Sequence, residues 1–587
     1  MDGALSDTCF LGVARSATGR RWIGPTEALL RQAQKISQDT GLPDALARVL
    51  ARAGVTSDAA EAYLAPSLRD TMPDPSTLRD MDRAVEVFLD AVDGQKTIAV
   101  FADYDVDGGA SAAILTHWLG GLGMRATLYV PDRIDEGYGP NTPAMTRLAE
   151  AHDLILCVDC GTLSFEPVAA AKAIGARVVI LDHHQGGETL PQADAVVNPN
   201  RQDEDGALGH LCAAAVVFLF LAAVNRALRA RGTAGPDLLA LLDLVALATV
   251  ADVAPLLGFN RALVRQGLKV MGARARPGLT ALSDVAKITG PPTAFHLGFL
   301  LGPRVNAGGR VGEADLGARL LASTDPGEAA NLAGRLDQLN LARREIEAEV
   351  LEEAKAQAEA RGVDGALVWA ASEGWHPGVV GIVAARLKEA FNRPAIVIGL
   401  DESTGKGSGR SVAGVDLGAA IARATSEGTL LKGGGHKMAA GLTVARDQLE
   451  PAMSRLEALL ARQGAGQAGP QDLACDGAIS CAGASLDLVE QLEAAGPYGA
   501  GAPAPRLVLS SVTYRAAQSM GDSHMRLSLQ DPSGRLDAVA FRVAHTELGA
   551  ALDGYAGRVV HVAGRVEINE WGGRRTPRLR IEDIALA

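Results

Sequence analysis

Cysteine is scarce in this chain, with six residues at positions 9, 157, 160, 212, 475 and 481 of 587. Such sparse and irregular use excludes a disulfide framework and points to a reducing compartment. Cys157 and Cys160 form a lone C-x-x-C, but no second pair completes a zinc spacing. Long apolar runs are missing as well. The longest, Leu211 to Val224, is too short to span a bilayer and reads as a buried helix. A basic segment followed by an apolar run, the mark of a secretory leader, is absent from the first residues. The expectation is a cytoplasmic protein with no membrane partner. Positive charge is in deficit, with a formal net charge of −13, which argues mildly against a polyanion partner unless Arg is placed locally.

What the chain has is length and apolar content. At 587 residues and 48% apolar, it exceeds what one hydrophobic core organises, so several domains are expected. Residues 1–80 are mixed helix and loop without a chemical signature and are assigned a supporting role. From Thr97, short β-branched runs (TIAVF 97–101, TLYV 127–130, LILCV 154–158, VVIL 178–181) alternate with helix-like segments. That alternation predicts an α/β fold, a parallel sheet with helices on both faces, over 81–325. An apolar helical region covers 241–257. Residues 326–362, rich in Ala, Glu, Arg and Leu, predict a long connecting helix. A second α/β unit spans 363–462, with strands at 366–370 and 395–399 flanking a helix at 379–391. Beyond a Gly/Ala/Gln-rich linker, short alternating runs over 470–587 predict a small β-barrel.

Strand 97–101 runs into Asp103, Asp105 and Asp107, three carboxylates within five residues. Like charges so close raise one another's pKa unless a cation compensates, so the cluster calls for divalent metal. The Asp-x-Asp-x-Asp-Gly spacing also fits a calcium loop, although no glutamate follows at the twelfth position. The next strands end in Asp159-Cys160-Gly161 and in Asp182-His183-His184. A parallel sheet brings such ends to one edge, where open α/β folds bind ligands. Asp252 ends a very apolar helix, where an unpaired carboxylate is expensive to bury and a metal would compensate it. Near the C-terminus, residues from Arg506 onward hold eleven Arg, no Lys and nine acids, with Trp571, Arg574, Arg575, Arg578 and Arg580 near one hairpin. Aromatic stacking with Arg suits single strands, and Trp571 is the candidate base-stacking residue.

Taken in order, DYDVDG (103–108), VDCG (158–161), DHH (182–184), ATVADVAPL (248–256), GPRVNAGGR (302–310), GWHPGVVGIVAARL (374–387), SGRS (408–411) and GGGHKMAAGL (433–442) resemble the motifs of the DHH phosphoesterase family. The likeness covers roughly residues 75–587 and lies within the family's branch of single-strand-specific 5′→3′ DNA exonucleases. It implies a parallel-sheet DHH domain, a DHH-associated second domain and a C-terminal oligonucleotide-binding (OB-fold) barrel. Two Mn2+ or Mg2+ ions are implied on Asp103, Asp105, Asp107, Asp159, His183 and Asp252, with Asp159 bridging and His184 outside them or facing substrate. Phe101 stands where many members carry histidine, which leaves Asp103 to fill that coordination and the ion it serves unassigned.

Two such cations lower the pKa of a bridging water and stabilise the oxyanion on the scissile phosphate, so no protein nucleophile is needed. Arg304 and Arg310, in a Gly-rich loop with Asn306 between them, and Arg133 are candidate phosphate-binding residues. In the second lobe, Ser408, Arg410 and His436 lie in Gly-rich stretches whose backbone amides can approach phosphate, and the resemblance implies that this lobe captures the terminal phosphate. The reading is a monomeric exonuclease of DNA repair and recombination, releasing 5′ mononucleotides, with single-strand-binding protein and a helicase as partners implied by resemblance. Two alternatives are a phosphodiesterase of short oligoribonucleotides or cyclic dinucleotides, and an inactive DNA-binding scaffold of the same fold.

Overall fold

A computed structural model describes residues 5–132, 136–466 and 472–587, apart from the side chains of residues 5–7 and 571. The chain divides into two compact units, Leu68–Ala468 and the pair Met1–Ser67 with Gly469–Ala587.

In the larger unit, strands β1 (Ile98–Ala102), β2 (Ala126–Tyr129), β3 (Leu154–Val158), β4 (Arg177–Leu181) and β5 (Ala195–Val197) form one parallel sheet in the order β2-β1-β3-β4-β5. Both faces are covered, as the near-continuous apolar runs require. Ile98, Val100, Leu154, Leu156 and Val158 share a core with helices that include α1 (Val106–Gly121) and α2 (Ala213–Ala230). Ala99, Phe101, Ile155 and Cys157 point the other way, into a second core with Met145, Leu148 and Val168. Alternate residues of one strand thus serve opposite layers.

Helix α2 is 18 residues long, longer than the apolar run suggests, and its apolar window is 67% buried within the fold. It is a core helix. Helix α3 (Leu242–Ala251) stops where Asp252 caps it, six residues short of the apolar stretch that ends at 257. The next residue, Val253, has φ 59, outside the helical region. The segment 302–310, read from its glycines as a loop, is instead helix α4 (Gly302–Val311). Its glycines give close approach rather than flexibility: a Cβ on Gly309 would lie 2.0 Å from the Tyr104 ring. Helix α5 (Pro326–Arg361) runs 36 residues, started by Asp325, whose side chain accepts the Glu328 N–H.

The second lobe holds β6 (Val368–Glu373), helix α6 (Pro377–Phe391), β7 (Ala395–Leu400), β8 (Thr404–Arg410), β9 (Lys432–Gly435) and β10 (Ala439–Ala445), in sheet order β9-β10-β8-β7-β6. Strand β8 pairs on both sides, so the backbone of Ser408 and Arg410 belongs to sheet ladders rather than to a phosphate-cradling loop. Any contact they make with a phosphate would come from their side chains.

In the smaller unit, the strands of the C-terminal region form a seven-stranded sheet that an antiparallel bridge between Thr513 and Gln530 draws into a barrel. The Arg-rich hairpin joins Val560–Trp571 to Arg574–Leu586, with Trp571 opposite Arg574. Residues 1–80 contain two strands that their composition did not announce, Leu5–Cys9 and Trp22–Pro25. The second pairs with Leu473–Ala474, and Trp22 donates its ring N–H to Asp583 at 2.9 Å. The N-terminal segment therefore completes the C-terminal unit, a pairing of residues more than 400 apart that no local pattern encodes.

Candidate metal centre

Every strand end singled out in the sequence arrives at the carboxyl edge of the first sheet. Just past β1, Asp105 caps α1, its Oδ1 accepting the N–H groups of Asp107 (2.8 Å) and Gly108 (3.2 Å). Only glycine fits at 108, because a Cβ there would lie 2.4 Å from the Asp103 carbonyl oxygen. The Asn306 carboxamide accepts the Val106 N–H at 2.9 Å, so α4 braces the same turn. Asp107 is fully buried and sits on the N-terminus of α2, its two oxygens accepting Ala213 N–H (2.7 Å) and Ala214 N–H (2.8 Å). The helix dipole favours its ionised form there.

Asp159, after β3, has φ 58, a backbone conformation that non-glycine residues rarely adopt outside functional sites. Its Oδ1 is buried without a hydrogen-bond partner. His183 Nε2 lies 3.3 Å from that atom and 3.7 Å from Asp107 Oδ2, while His183 Nδ1 lies 3.1 Å from the Leu211 carbonyl oxygen. A proton on Nδ1, as that carbonyl requires, leaves the Nε2 lone pair facing the carboxylates.

Ligand atoms gather in three groups, each within 4.8 Å: Asp103, Asp105 and Asp159; Asp107, His183 and Asp252; and Asp159, His183 and His184. The first two share no residue, while Asp159 and His183 approach each other across them. Burial and the surrounding carboxylates push Asp159 well above the usual aspartate range. Burial first, then Asp107 and Asp105, raise Asp252 to about 8. Asp107 is raised by burial, with His183 opposing. A set of buried and half-buried, mutually repelling carboxylates with an orphaned oxygen fits divalent cations, whose charge would compensate all of them.

Sequence reasoning named the triplet 182–184 but gave Asp182 no role. Its carboxylate accepts from the Thr162 hydroxyl (2.6 Å) and N–H (3.1 Å), from the His183 N–H (2.7 Å), and from the N–H (3.1 Å) and Nδ1 (2.8 Å) of His184. Burial opposes ionisation, but these bonds and the His184 charge hold Asp182 well below its ordinary value. Burial alone would lower His184, yet Asp182 and the neighbouring acids raise it to about 9. Tyr138 was also missed, although it lies in the quoted PDRIDEGYG segment; its hydroxyl meets His184 Nε2 at 2.9 Å.

Among the candidate substrate residues, Arg133 and the side chain of Trp571 lie outside the described residues. Arg304 is engaged by Asp337 of α5 at 2.8 Å and by the Leu300 carbonyl at 2.7 Å. Arg310 donates to the Gly378 carbonyl at the start of α6 (3.1 Å), tying the two lobes together. Arg410 donates to the Ser408 hydroxyl at 3.0 Å, and both crowd Gly381 of α6, where a Cβ would come within 3.2 Å of each side chain. His436, between β9 and β10, faces Tyr138, Asp182 and His184 across a cavity of about 660 Å³. The structure thus brings together all six proposed ligands with His184, and places His436 across the cleft from them.

Three family models match the chain: the DHH family N-terminal domain over residues 97–249, the DHHA1 domain over 364–462 and the RecJ OB domain over 475–583. The chain is 36% identical to the single-stranded-DNA-specific exonuclease RecJ of Salmonella typhimurium, over 92% of this chain and 96% of that protein. It is 33% identical to the RecJ of Bacillus subtilis over 88% of its own residues, but spans 64% of that relative's length. The crystal structure of Thermus thermophilus RecJ in complex with Mn2+ superposes with a TM-score of 0.79 at 30% identity, covering 94% of this chain and 78% of that one. On this agreement of domains, sequence and fold, the chain belongs to the RecJ family.

Proposed function

We propose that the chain is a single-stranded-DNA-specific 5′→3′ exonuclease that hydrolyses phosphodiester bonds with two divalent cations, Mn2+ or Mg2+, and releases 5′ mononucleotides. The observation that carries this reading is the orphaned Oδ1 of Asp159, a buried residue shared by two of the three groups of ligand atoms and 3.3 Å from His183 of the third. One ion would be held by Asp103, Asp105 and Asp159, the other by Asp107, His183 and Asp252, with Asp159 between them. When bound, the pair supplies a lowered water pKa and charge for the developing phosphate oxyanion. The chain's own residues do the positioning. Asp182 fixes the His184 ring, and Tyr138 holds its far nitrogen, so a cationic imidazole faces the cleft where a phosphate would lie. Across that cleft lies His436, which with Ser408 and Arg410 of the same lobe forms the residue set to hold the terminal 5′ phosphate. Arg304 and Asn306 act through α4, the first by its tie to α5, the second by bracing the Asp103–Asp107 turn. Single-stranded DNA is the partner, with the C-terminal barrel as an additional binding surface; single-strand-binding protein and a helicase are the partners to test next.

The test compares a single strand, a blunt duplex, a cyclic dinucleotide and a dinucleotide with Mn2+ present, with either end of the single strand blocked by a bulky label. The expected result is mononucleotide release from a free 5′ end of the single strand. Degradation from the 3′ end, efficient duplex digestion or activity confined to dinucleotides would overturn the proposal.

A further inference from the structure

The larger unit carries an exposed aromatic feature that the metal centre does not use. Phe295 and Phe299 are 55% and 70% exposed, although phenylalanine is normally interior. Their rings are stacked, with centroids 5.1 Å apart and planes inclined by 23°. Phe295 starts and Phe299 sits within a six-residue π-helical segment, His296–Leu301, whose Leu297 and Leu301 are buried and so anchor it. Segments of this kind concentrate at functional sites.

Where the segment packs decides what it can serve. A Cβ on Gly298 would touch Val250 at 3.3 Å, and one on Gly302 would touch Ala251 at 3.4 Å. The aromatic segment thus leans directly on the last turn of α3, the turn that delivers Asp252 to the metal centre. The residue after Asp252, Val253, is 69% exposed and is held at φ 59. A β-branched side chain in that conformation is strained, and such strain persists where the surrounding structure imposes it for function.

Building on the exonuclease reading, we propose that Phe295 and Phe299 form a platform on which unpaired bases of the substrate strand stack as it passes the Asp252 side of the metal centre. Two rings already arranged as a stack offer a base the same kind of face that a neighbouring base would offer. Stacking on an aromatic face reads no sequence, which suits an enzyme that must advance through any sequence. A base pair could not use the platform without first being opened, so the same surface favours single strands.

The experiment uses the full chain stripped of metal with chelator, so that the strand is bound but not cut. Single strands carry one 2-aminopurine at successive positions from the 5′ end, and fluorescence and affinity are read for wild type, Phe295→Ala/Phe299→Ala and Phe295→Tyr/Phe299→Tyr. The expected result is quenching at one or two adjacent positions in wild type, lost in the alanine variant and retained in the tyrosine variant. Affinity should fall at least about fivefold per ring removed. The slope of affinity against salt should stay unchanged, because no phosphate contact is lost. Equal quenching patterns and equal affinities in wild type and the alanine variant would overturn the platform and leave this face to a protein partner. A wild-type enzyme that fails to digest single strands once Mn2+ is restored would instead sink the exonuclease reading, so the two failures are separable.

Discussion

Asp159 in the larger unit and Asp583 in the smaller one are both buried aspartates, and their surroundings are opposite. Asp583 accepts the Trp22 ring N–H and the Ile584 N–H, each at 2.9 Å, with the Arg20 guanidinium 3.9 Å away. Asp159 has an orphaned oxygen, a strained backbone and further acids for neighbours. Burial of a charge therefore marks a candidate site only when its partners are missing from the chain itself: the satisfied carboxylate fastens the N-terminal segment, and the unsatisfied one is what a divalent cation would compensate.

Exchanging each residue for alanine breaks the comparison most sharply. Asp159→Ala is expected to lower hydrolysis by more than about 100-fold, beyond the range typical of residues that merely support ligands. The metal-free variant should melt no lower than wild type, because carboxylate repulsion is relieved. Asp583→Ala should do the reverse, destabilising its unit by about 1–3 kcal/mol through the orphaned indole N–H, with hydrolysis per folded molecule unchanged. Thermal melts and initial rates of both variants decide it; activity of Asp159→Ala within about tenfold of wild type contradicts the ligand assignment.

How much of this was legible in the sequence follows the range of the signal. Strand ends at Ala102, Val158 and Leu181 could be read because apolar runs and the acids after them are local. The long helix was equally plain, since its composition never breaks over 36 residues. Helix α4 was not, because its glycines serve close packing against Tyr104 and α5, and in a single sequence such glycines look like those of a loop. The strand Trp22–Pro25 hid for another reason: besides the short neighbour Leu5–Cys9 it pairs with Leu473–Ala474 and bonds Asp583, and nothing nearby in sequence reports those distant partners. Asp182 stood in view within the triplet, but its role as the acceptor that sets His184 appears only when Thr162 and both histidines close around it.

The pH dependence sharpens the same contrast. Asp252 has an ordinary value of 3.8, raised to about 8 in the folded chain. Between those values the metal-free folded protein keeps a proton that the unfolded chain has lost, so its stability should fall as pH rises from about 4 to 8. Divalent cation must displace such protons, so its affinity should rise across that window and binding at pH 7 should release protons. Calorimetry in two buffers of different ionisation enthalpy checks this, and binding without proton release would contradict it.

A smaller effect is expected in the second lobe. Arg410→Ala should blunt the preference for a 5′-phosphorylated over a hydroxyl end by roughly 1.5–3 kcal/mol, one charge-assisted contact. Rates on the two strands measure it, and an undiminished preference would remove Arg410 from the terminal-phosphate site. For the barrel, a truncation must remove residues 1–67 together with 469–587, since they form one unit. The remaining chain should bind long strands more weakly and with a shallower salt dependence while still cutting short ones. Unchanged affinity for long strands would take the barrel out of the DNA path.

Titration of Mn2+ into the chelator-stripped full chain by calorimetry addresses the central claim most directly. The expected result is two ions per chain in wild type and loss of at least one of them in Asp159→Ala; two ions bound with undiminished affinity in that variant would contradict the account.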